Sequence, residues 1–479
     1  MTNPHHSIVP NLLSPESLAE KPVRLRWWLR PKIVLPVLLF GLLLVGPFLY
    51  RGYRITRVPD IGEPFDVAEF EAIEFTQAEN AADIYNSALR LLQPVSDNDA
   101  LFRFLEHGWS EATPALIKWL DDNSAALEEW KRATELPDAM FVPPKEITAF
   151  NIPEYLQGLR TCSRLATLQA ARYQGEGDVA SAWVWLHAQL RASRHCTQNG
   201  ASPERMLGES LFIDAFKGIQ QWVADGRVDE SLLNRAVLDF TQADMLTGHN
   251  AVCGKMDYLA LRKLLGDTKR VARIWDDMSD HSVLVSRAEF FLLGEPEYSR
   301  RLSRLAVRYW LSIVDQPLWS RPVVSTVTFP ASGAPAMSVT EMQRLLASDD
   351  ALLSNLVLVF DDMDIVLQRE SARRLILRQM MACHLFRRRH GDWPTKPEDL
   401  VPDLLPELQA DPYGAAGETL RWKREGDVLL IYSVAEDRTD NGGNIDHSSA
   451  SLRTDRGVRL MPPIAKPTAA NETTRVEKN

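Results

Sequence analysis

The spacing of apolar and polar residues divides this chain into regions of different character. Residues 33–50 are continuously apolar and carry no charged side chain. At about 1.5 Å per helical residue this stretch is roughly 27 Å long, which suits the ~30 Å hydrocarbon core of a bilayer. The pattern predicts one transmembrane helix over residues 33–50, so the lipid bilayer is the first partner that the sequence indicates.

A cleaved signal peptide is the competing interpretation of this segment. The polar region ahead of it, residues 1–32, is long, and no small-x-small cleavage site follows. These features favour an uncleaved anchor. More positive charges precede the segment than follow it, which favours a cytoplasmic N-terminus. We expect a cytoplasmic tail over residues 1–32 and an extracytoplasmic body, in a single-pass protein of the plasma (inner) membrane. The flanking charges are Lys21, Arg24, Arg26, Arg30 and Lys32 before the segment, and Arg51, Arg54 and Arg57 after it.

Helical periodicity dominates residues 51–320, after an extended lead-in over residues 51–75. The clearest unit is a helical hairpin over residues 159–194, with a turn from Gly175 to Asp178, and it resembles a single tetratricopeptide unit. Pro, Ser and Thr are frequent in residues 321–340, which predicts a linker. Further helices are predicted over residues 80–92, 113–133, 210–224, 231–240, 255–265, 269–293 and 298–314.

A small α+β unit follows over residues 341–460. A long helix is predicted over residues 365–390, ending at Gly391 in the left-handed position. Thr395 and Glu398 have the spacing of a capping box that opens a short helix. Residues 419–424 and 428–434 then alternate as the two strands of an antiparallel hairpin. The composition of residues 461–479 predicts a disordered tail.

The loop after the hairpin is rich in oxygen-bearing side chains and glycine. Carboxylate and amide oxygens in such a loop suit Ca²⁺, although the spacing is not that of an EF-hand. An Asx-rich turn without a metal is the alternative.

The run of motifs in this region resembles the C-terminal module of type II secretion major pseudopilins. Those proteins have a long helix, a G-x-[YW]-P corner, a DP[WYF]G turn and a short sheet that ends in YS-x-G-x-DG-x-x-GG. The resemblance covers about 70 residues and implies a calcium loop at Asp437, Asp440 and Asp446. Ala435 and Arg438 stand where the family has glycine. The matching residues are Gly391, Trp393, Pro394, Asp411, Pro412, Tyr413, Gly414, Tyr432, Ser433, Asp437, Gly442 and Gly443.

The N-terminal region with the predicted membrane helix differs from the same region of that family. The N-terminal processing site is missing, and about 300 residues separate the anchor from the long helix. Fibre assembly is therefore not expected. The layout as a whole resembles large, uncharacterised bacterial membrane-anchored proteins.

Other motifs suggest chemistry less specifically. Asp276, Asp277 and Asp280 form a DDxxD pattern of the kind that binds Mg²⁺ in prenyl synthases, but its companion motif is missing. A solvated acidic helix face is the alternative. His187, His195 and Cys196 could contribute metal ligands from one helix, or belong to the core or surface.

Charge and cysteine content narrow the class of protein. The net charge of −10 argues against nucleic-acid binding, which requires a basic surface. The four cysteines form no CxxC pair; buried thiols and one or two disulfides both remain open.

Together these patterns predict a mainly α fold with an N-terminal transmembrane helix and an α-helical bundle or hairpin body. A small C-terminal α+β pseudopilin-like module completes it. The expected function is a membrane-anchored scaffold or interaction protein of the cell envelope, with an envelope protein as partner and a link to secretion. The alternative is an enzyme that uses a divalent metal at Asp276 to Asp280.

Overall fold

The protein is mainly helical, with small antiparallel sheets toward its C-terminal end. The structure, a computed structural model, describes residues 31–76, 78–95, 97–148, 153–316, 318–319, 326–329, 334–346, 354–445 and 454–462. The predicted tail from residue 463 onward therefore lies outside the described residues.

Most of the described helices lie where the periodicity predicted them. The helices are α1 (Pro31–Thr56), α2 (Val67–Glu71), α3 (Ala82–Leu91), α4 (Asn98–His107), α5 (Pro114–Asp122), α6 (Ser124–Thr134), α7 (Tyr155–Glu176), α8 (Val179–Gln198), α9 (Ser202–Val223), α10 (Glu230–Met245), α11 (Asn250–Gly266), α12 (Thr268–Met278), α13 (Val283–Leu292), α14 (Glu297–Ile313), α15 (Val339–Leu346) and α16 (Ser354–His390). Of these, α2, α4 and α15 were not predicted, and α16 begins before the expected residue 365. The strands are β1 (Thr326–Phe329), β2 (Ala334–Ser338), β3 (Arg421–Glu425), β4 (Val428–Ser433) and β5 (Arg456–Leu460).

Helix α1 is long and apolar enough to cross a membrane. An 18-residue window within Val34–Thr56 has a mean hydropathy of 1.9 and is not buried by the rest of the chain. The helix continues past residue 50 to Thr56. The predicted extended lead-in is therefore wrong over residues 51–56, because α13 and α14 supply packing partners for the last turns of α1. It is also wrong over Val67–Glu71, where the Asp66 side chain caps the short helix α2.

The predicted helical hairpin is confirmed as α7 and α8. Its turn uses Gly177 at a φ of +94°, a left-handed conformation that glycine adopts without steric cost. The Asp178 side chain then caps α8 by accepting the Ser181 N–H at 2.9 Å. Alanines bring the helices together and are buried between them.

Two segments that were each predicted as one helix form two helices, with a break at polar residues. The predicted helix 113–133 separates into α5 and α6 at Asn123, whose buried amide donates to the carbonyls of Trp119 and Gln93. The predicted helix 269–293 separates into α12 and α13, since α12 ends at Met278. In both places side-chain bonds to the backbone compete with the helix.

The predicted linker 321–340 contains the antiparallel strands β1 and β2, with Thr326 opposite Ser338. The β-branched run Thr326–Phe329 was the signal for a strand, and the nearby prolines obscured it. Residues 321–325 and 330–333 of this segment lie outside the described residues.

The C-terminal sheet has three strands in the order β3–β4–β5, where the sequence predicted a two-stranded hairpin. Strand β5 pairs with β4, placing Val458 opposite Ile431. Gly457 is required here, because a Cβ at this position would lie 2.3 Å from the Ile431 carbonyl oxygen. The predicted capping box is also shifted: Asp399, and not Glu398, accepts bonds from Thr395 and Lys396, and the helix is one 3₁₀ turn.

One hydrophobic cluster runs from the helical body into this sheet. It includes Trp130 and Trp222 of the body, Met380 of α16, Trp393 and Ile431 of β4. Helix α16 packs against α9 and α10 on one side and against β4 and β5 on the other. The division between a body over 51–320 and a module over 341–460 stays a prediction, and the core is continuous across it.

A buried carboxylate joins α16 to the body. Glu370 accepts from Arg194 Nη1 at 2.5 Å and from Arg205 Nη2 at 2.9 Å. All three side chains are 2% exposed or less. Burial opposes ionisation of Glu370, but Arg205, Arg194 and Arg374 outweigh it and lower its pKa to about 2. The carboxylate is therefore ionised and pairs with two guanidiniums that are almost fully buried.

Replacing Glu370 with Gln should lower the free energy of unfolding by about 3–5 kcal/mol, because Arg194 and Arg205 would keep a buried charge without its counterion. Urea unfolding of the detergent-solubilised chain, followed by tryptophan fluorescence, measures this change. Glu341→Gln is the matched control, since Glu341 forms an exposed pair with Arg344 at 2.6 Å and should cost under about 1 kcal/mol. Equal stability of the two variants would contradict a central role for Glu370.

The stability that Glu370 provides should depend on pH in the acidic range. Its pKa in the folded chain, about 2, lies below the ordinary value of 4.5. This contribution is therefore fully present above pH 4.5 and is lost as pH falls toward 2, by about 3 kcal/mol in total. Urea unfolding at several pH values should show the gap between wild type and Glu370→Gln shrinking over this window. A gap that stays constant would contradict the ionised buried carboxylate.

Candidate functional site

Contacts at the C-terminal end of α1 hold this helix, the one that can cross a membrane, in a fixed position relative to the body. Arg51 donates through Nη1 to the Phe291 carbonyl at 2.6 Å and through Nη2 to the Glu295 carbonyl at 3.2 Å. These carbonyls lie at and just beyond the C-terminal end of α13, where a positive charge also suits the helix dipole. The Phe48 ring packs edge-on against Phe291, with 5.2 Å between centroids.

The next turn of α1 is held equally closely by α14. The guanidinium of Arg54 lies 4.7 Å from the Tyr298 ring centroid and is 7% exposed. Arg301 donates to the carbonyls of Ile55 and Val58, at 3.4 and 3.3 Å. A side chain at Gly294 would lie 2.9 Å from Ile55. The last two turns of α1 are thus part of the folded body.

Asp276 and Asp280 do not share one helix face, so the expectation of an acidic helix face over this motif is wrong. Helix α12 ends at Met278, which leaves Asp280 in the following turn. Asp276 accepts from Ser286 Oγ at 2.7 Å and pairs with Arg287 at 2.6 Å, and both contacts lower the pKa of its carboxyl. Asp277 and Asp280 are exposed. The trio serves the turn between α12 and α13 and does not converge on one ion.

The histidines and cysteine of α8 form no metal site within the described residues. His195 is buried; it bonds Tyr85 Oη at 2.9 Å and the Leu136 carbonyl at 3.0 Å, and burial lowers its pKa to about 3. His187 stacks on Trp183, with 6.1 Å between ring centroids. Cys196 is buried and free, as are the other three cysteines. These residues belong to the packing of α8.

The arginines at the end of α16 bind other elements of the chain. Arg387 pairs with Asp427 at 2.8 Å, Arg388 donates to the Asp225 carbonyl at 2.8 Å, and Arg389 pairs with Glu230 at 2.8 Å. These three side chains tie α16 to β3–β4 and to the start of α10.

The loop predicted to bind calcium is ordered by its own hydrogen bonds. Asp440 accepts the Gly442 N–H at 2.8 Å and pairs with Arg421 at 3.2 Å. Asp437 accepts the Thr439 N–H at 3.0 Å. Asp446 lies outside the described residues. Calcium binding here stays a prediction, and the described carboxylates already have partners.

Asp455 is the loop residue that sequence reasoning missed. It is 1% exposed and accepts the N–H groups of Asn441 at 3.3 Å and Gly443 at 2.7 Å. It therefore fastens the loop to the start of β5. The sequence did not indicate Asp455 because this residue lies just before β5, a strand that was not predicted.

The motif residues behind the pseudopilin resemblance contact one another. Asp411 is fully buried and accepts from Ser433 Oγ at 2.7 Å, from the Val434 N–H at 3.3 Å and from the Tyr413 N–H at 3.1 Å. Trp393 donates from its indole to the Asp427 carbonyl at 2.7 Å. The Asp-Pro-Tyr-Gly turn is thus bonded to the end of β4.

The two positions that depart from the resembled family have an unusual backbone. Ala435 has a φ of +54° and Arg438 a φ of +55°, and among the described residues they are the non-glycine residues with positive φ. This left-handed region costs roughly 1–2 kcal/mol for a residue with a side chain. The loop keeps the backbone conformation that glycine favours, although the glycines are replaced.

Arg438→Gly should raise the free energy of unfolding by about 0.5–1 kcal/mol, because relief of the left-handed strain exceeds the added flexibility of the unfolded chain. Arg438 is exposed, so little packing is lost. Asp403→Gly is the control: Asp403 is exposed with a negative φ, and glycine there should destabilise by a similar amount. Urea unfolding that shows both glycine variants losing stability would contradict the strained conformation at Arg438.

Within the part of the chain that the structure describes, no group of three or more His, Cys, Asp or Glu side chains could hold a metal ion. Comparisons with known protein families, with curated proteins and with solved structures found no match to this chain. The function of the chain is therefore inferred from its own contacts.

Proposed function

We propose that this protein is a single-pass membrane scaffold whose folded body is held at the surface of the plasma (inner) membrane. Helix α1 is the anchor. The body and the C-terminal module lie outside the cytoplasm and offer surfaces to an envelope protein partner, in a role linked to secretion.

The observation that carries the proposal is the division of α1 into two parts. Its apolar part is unburied, with Leu43 73% and Phe40 64% exposed. Its last turns contact Phe291, Glu295 and Tyr298 of the body. An apolar helix left uncovered by its own protein is stable in lipid and costly in water. A helix that served only as a flexible tether would not need contacts between its last turns and the body. A body held in a fixed position at the membrane does need such contacts.

The orientation is supported by charge. Five Lys and Arg residues precede the apolar segment and three follow it. Two of those three, Arg51 and Arg54, have contacts in the body that account for their presence there. The remaining asymmetry favours the N-terminus in the cytoplasm.

The scaffold role is supported by the way the pseudopilin-like module is built in. Its long helix α16 packs on α9 and α10 of the same chain, and Arg374 and Arg378 both pair with Asp244 of α10, at 2.5 and 2.7 Å. A helix covered by its own body is not free to join a fibre. The exposed face of the module is β3, with the polar residues Lys423, Arg424 and Glu425.

The anchor and its orientation are tested together in a bacterial cell. The full chain should remain in the membrane pellet after alkaline carbonate extraction, whereas deletion of residues 34–50 should release it. A C-terminal alkaline phosphatase fusion should be active and a C-terminal green fluorescent protein fusion should be dark. Carbonate release of the full chain would overturn the anchor, and the reverse pattern of fusions would overturn the extracytoplasmic body.

A further inference from the structure

The start of α13 carries an exposed apolar patch. Leu284 is 82% exposed, Val283 65% and Val285 43%, and Met278 at the end of α12 is 56% exposed. These side chains lie at the tip of the turn between two helices, and no described part of the chain covers them. A cluster of this kind on a folded surface marks a place where something else binds.

The patch continues the face of α13 that contacts α1. Residues 284, 288 and 291 recur at steps of four and three, so they form one stripe along a helix. Phe291 ends the stripe against Phe48, inside the apolar segment of α1. Leu284 and Ala288 extend it and are exposed. The same side of α13 that meets the membrane helix is therefore the side that is left uncovered.

The distance from the membrane segment is short. Phe48 lies two residues before the end of the apolar segment, so Phe291 is close to the hydrocarbon boundary. The ten residues of α13 span about 15 Å, so Leu284 lies within about 15 Å of that boundary. The rigid contacts of Arg51 with the end of α13 prevent the patch from swinging away.

We propose that the tip formed by Met278, Val283, Leu284 and Val285 inserts into the interface of the same bilayer that α1 crosses. The inference rests on the proposed anchor and adds a second membrane contact to it. Asp277 and Asp280 are exposed beside the tip, so apolar insertion and not attraction to anionic lipid carries the contact. Two points of attachment, the axis of α1 and this tip, would set the tilt of the body on the membrane.

The test places a fluorophore at single introduced cysteines in the full chain. The variants are Leu284→Cys at the tip, Phe40→Cys in the apolar segment and Met245→Cys on α10. Met245 is 74% exposed and matches Leu284 in accessibility, while α10 packs on α8 and α16. The four native cysteines are buried and should not be labelled by maleimide in the folded protein. Each labelled protein is reconstituted into phosphatidylcholine vesicles with and without doxyl-labelled lipid.

The expected result is at least twofold quenching by doxyl lipid at positions 40 and 284, and no quenching at position 245. Quenching at 40 without quenching at 284 would overturn the tip contact and leave the anchor standing. A blue-shifted but unquenched label at 284 would also overturn it, since a protein partner or a second copy would then cover the patch. No quenching at position 40 would overturn the anchor itself. Quenching at all three positions would show unspecific adsorption and would also overturn the tip contact.

Discussion

The structure depends on one ion cluster inside its core. Glu370 pairs with Arg194 and Arg205, and all three side chains are almost fully buried, so any one of these charges left without its partner would carry a large desolvation cost. Of the three helices that carry these residues, α16 is the one that contacts both the helical body and the C-terminal sheet. It completes the packing of α9 and α10, and it supplies the surface on which the C-terminal sheet lies. The helices of the body and the C-terminal sheet therefore both pack on α16.

Arginines on backbone carbonyls make the other long-range connections. Arg51 joins the end of α1 to α13, Arg301 joins α14 to the same stretch, and Arg388 joins α16 to the end of α9. Each guanidinium donates to carbonyls at a helix end or turn, and several of these carbonyls also accept a backbone N–H. The result is a chain whose membrane segment and C-terminal module are both tied to one body, which suits a platform better than a flexible tether.

Sequence patterns predicted what depends on local spacing. The apolar stretch of α1, the hairpin α7–α8 and the glycine end of α16 all follow from periodicity and capping within a few residues. The features that the sequence did not predict depend on partners that are distant along the chain. Strand β5 is short and is defined by pairing with β4, Asp455 acts only through that strand, and the break after Met278 appears as an unbroken helical pattern. The partners of Glu370 could not be assigned from spacing, because they lie 165 and 176 residues earlier.

That separation has a consequence for how the protein is made. The ribosome delivers α1, α8 and α9 long before α16, so in the proposed arrangement α1 would enter the membrane while Arg194 and Arg205 still lack their counterion. Until α16 is made, α9 and α10 would lack the helix that packs against them, and their apolar faces would be open to proteases and chaperones. A prematurely terminated chain would be a tethered, unfinished bundle. Degradation of chains that end before α16 would then lower the amount of this protein that a cell accumulates.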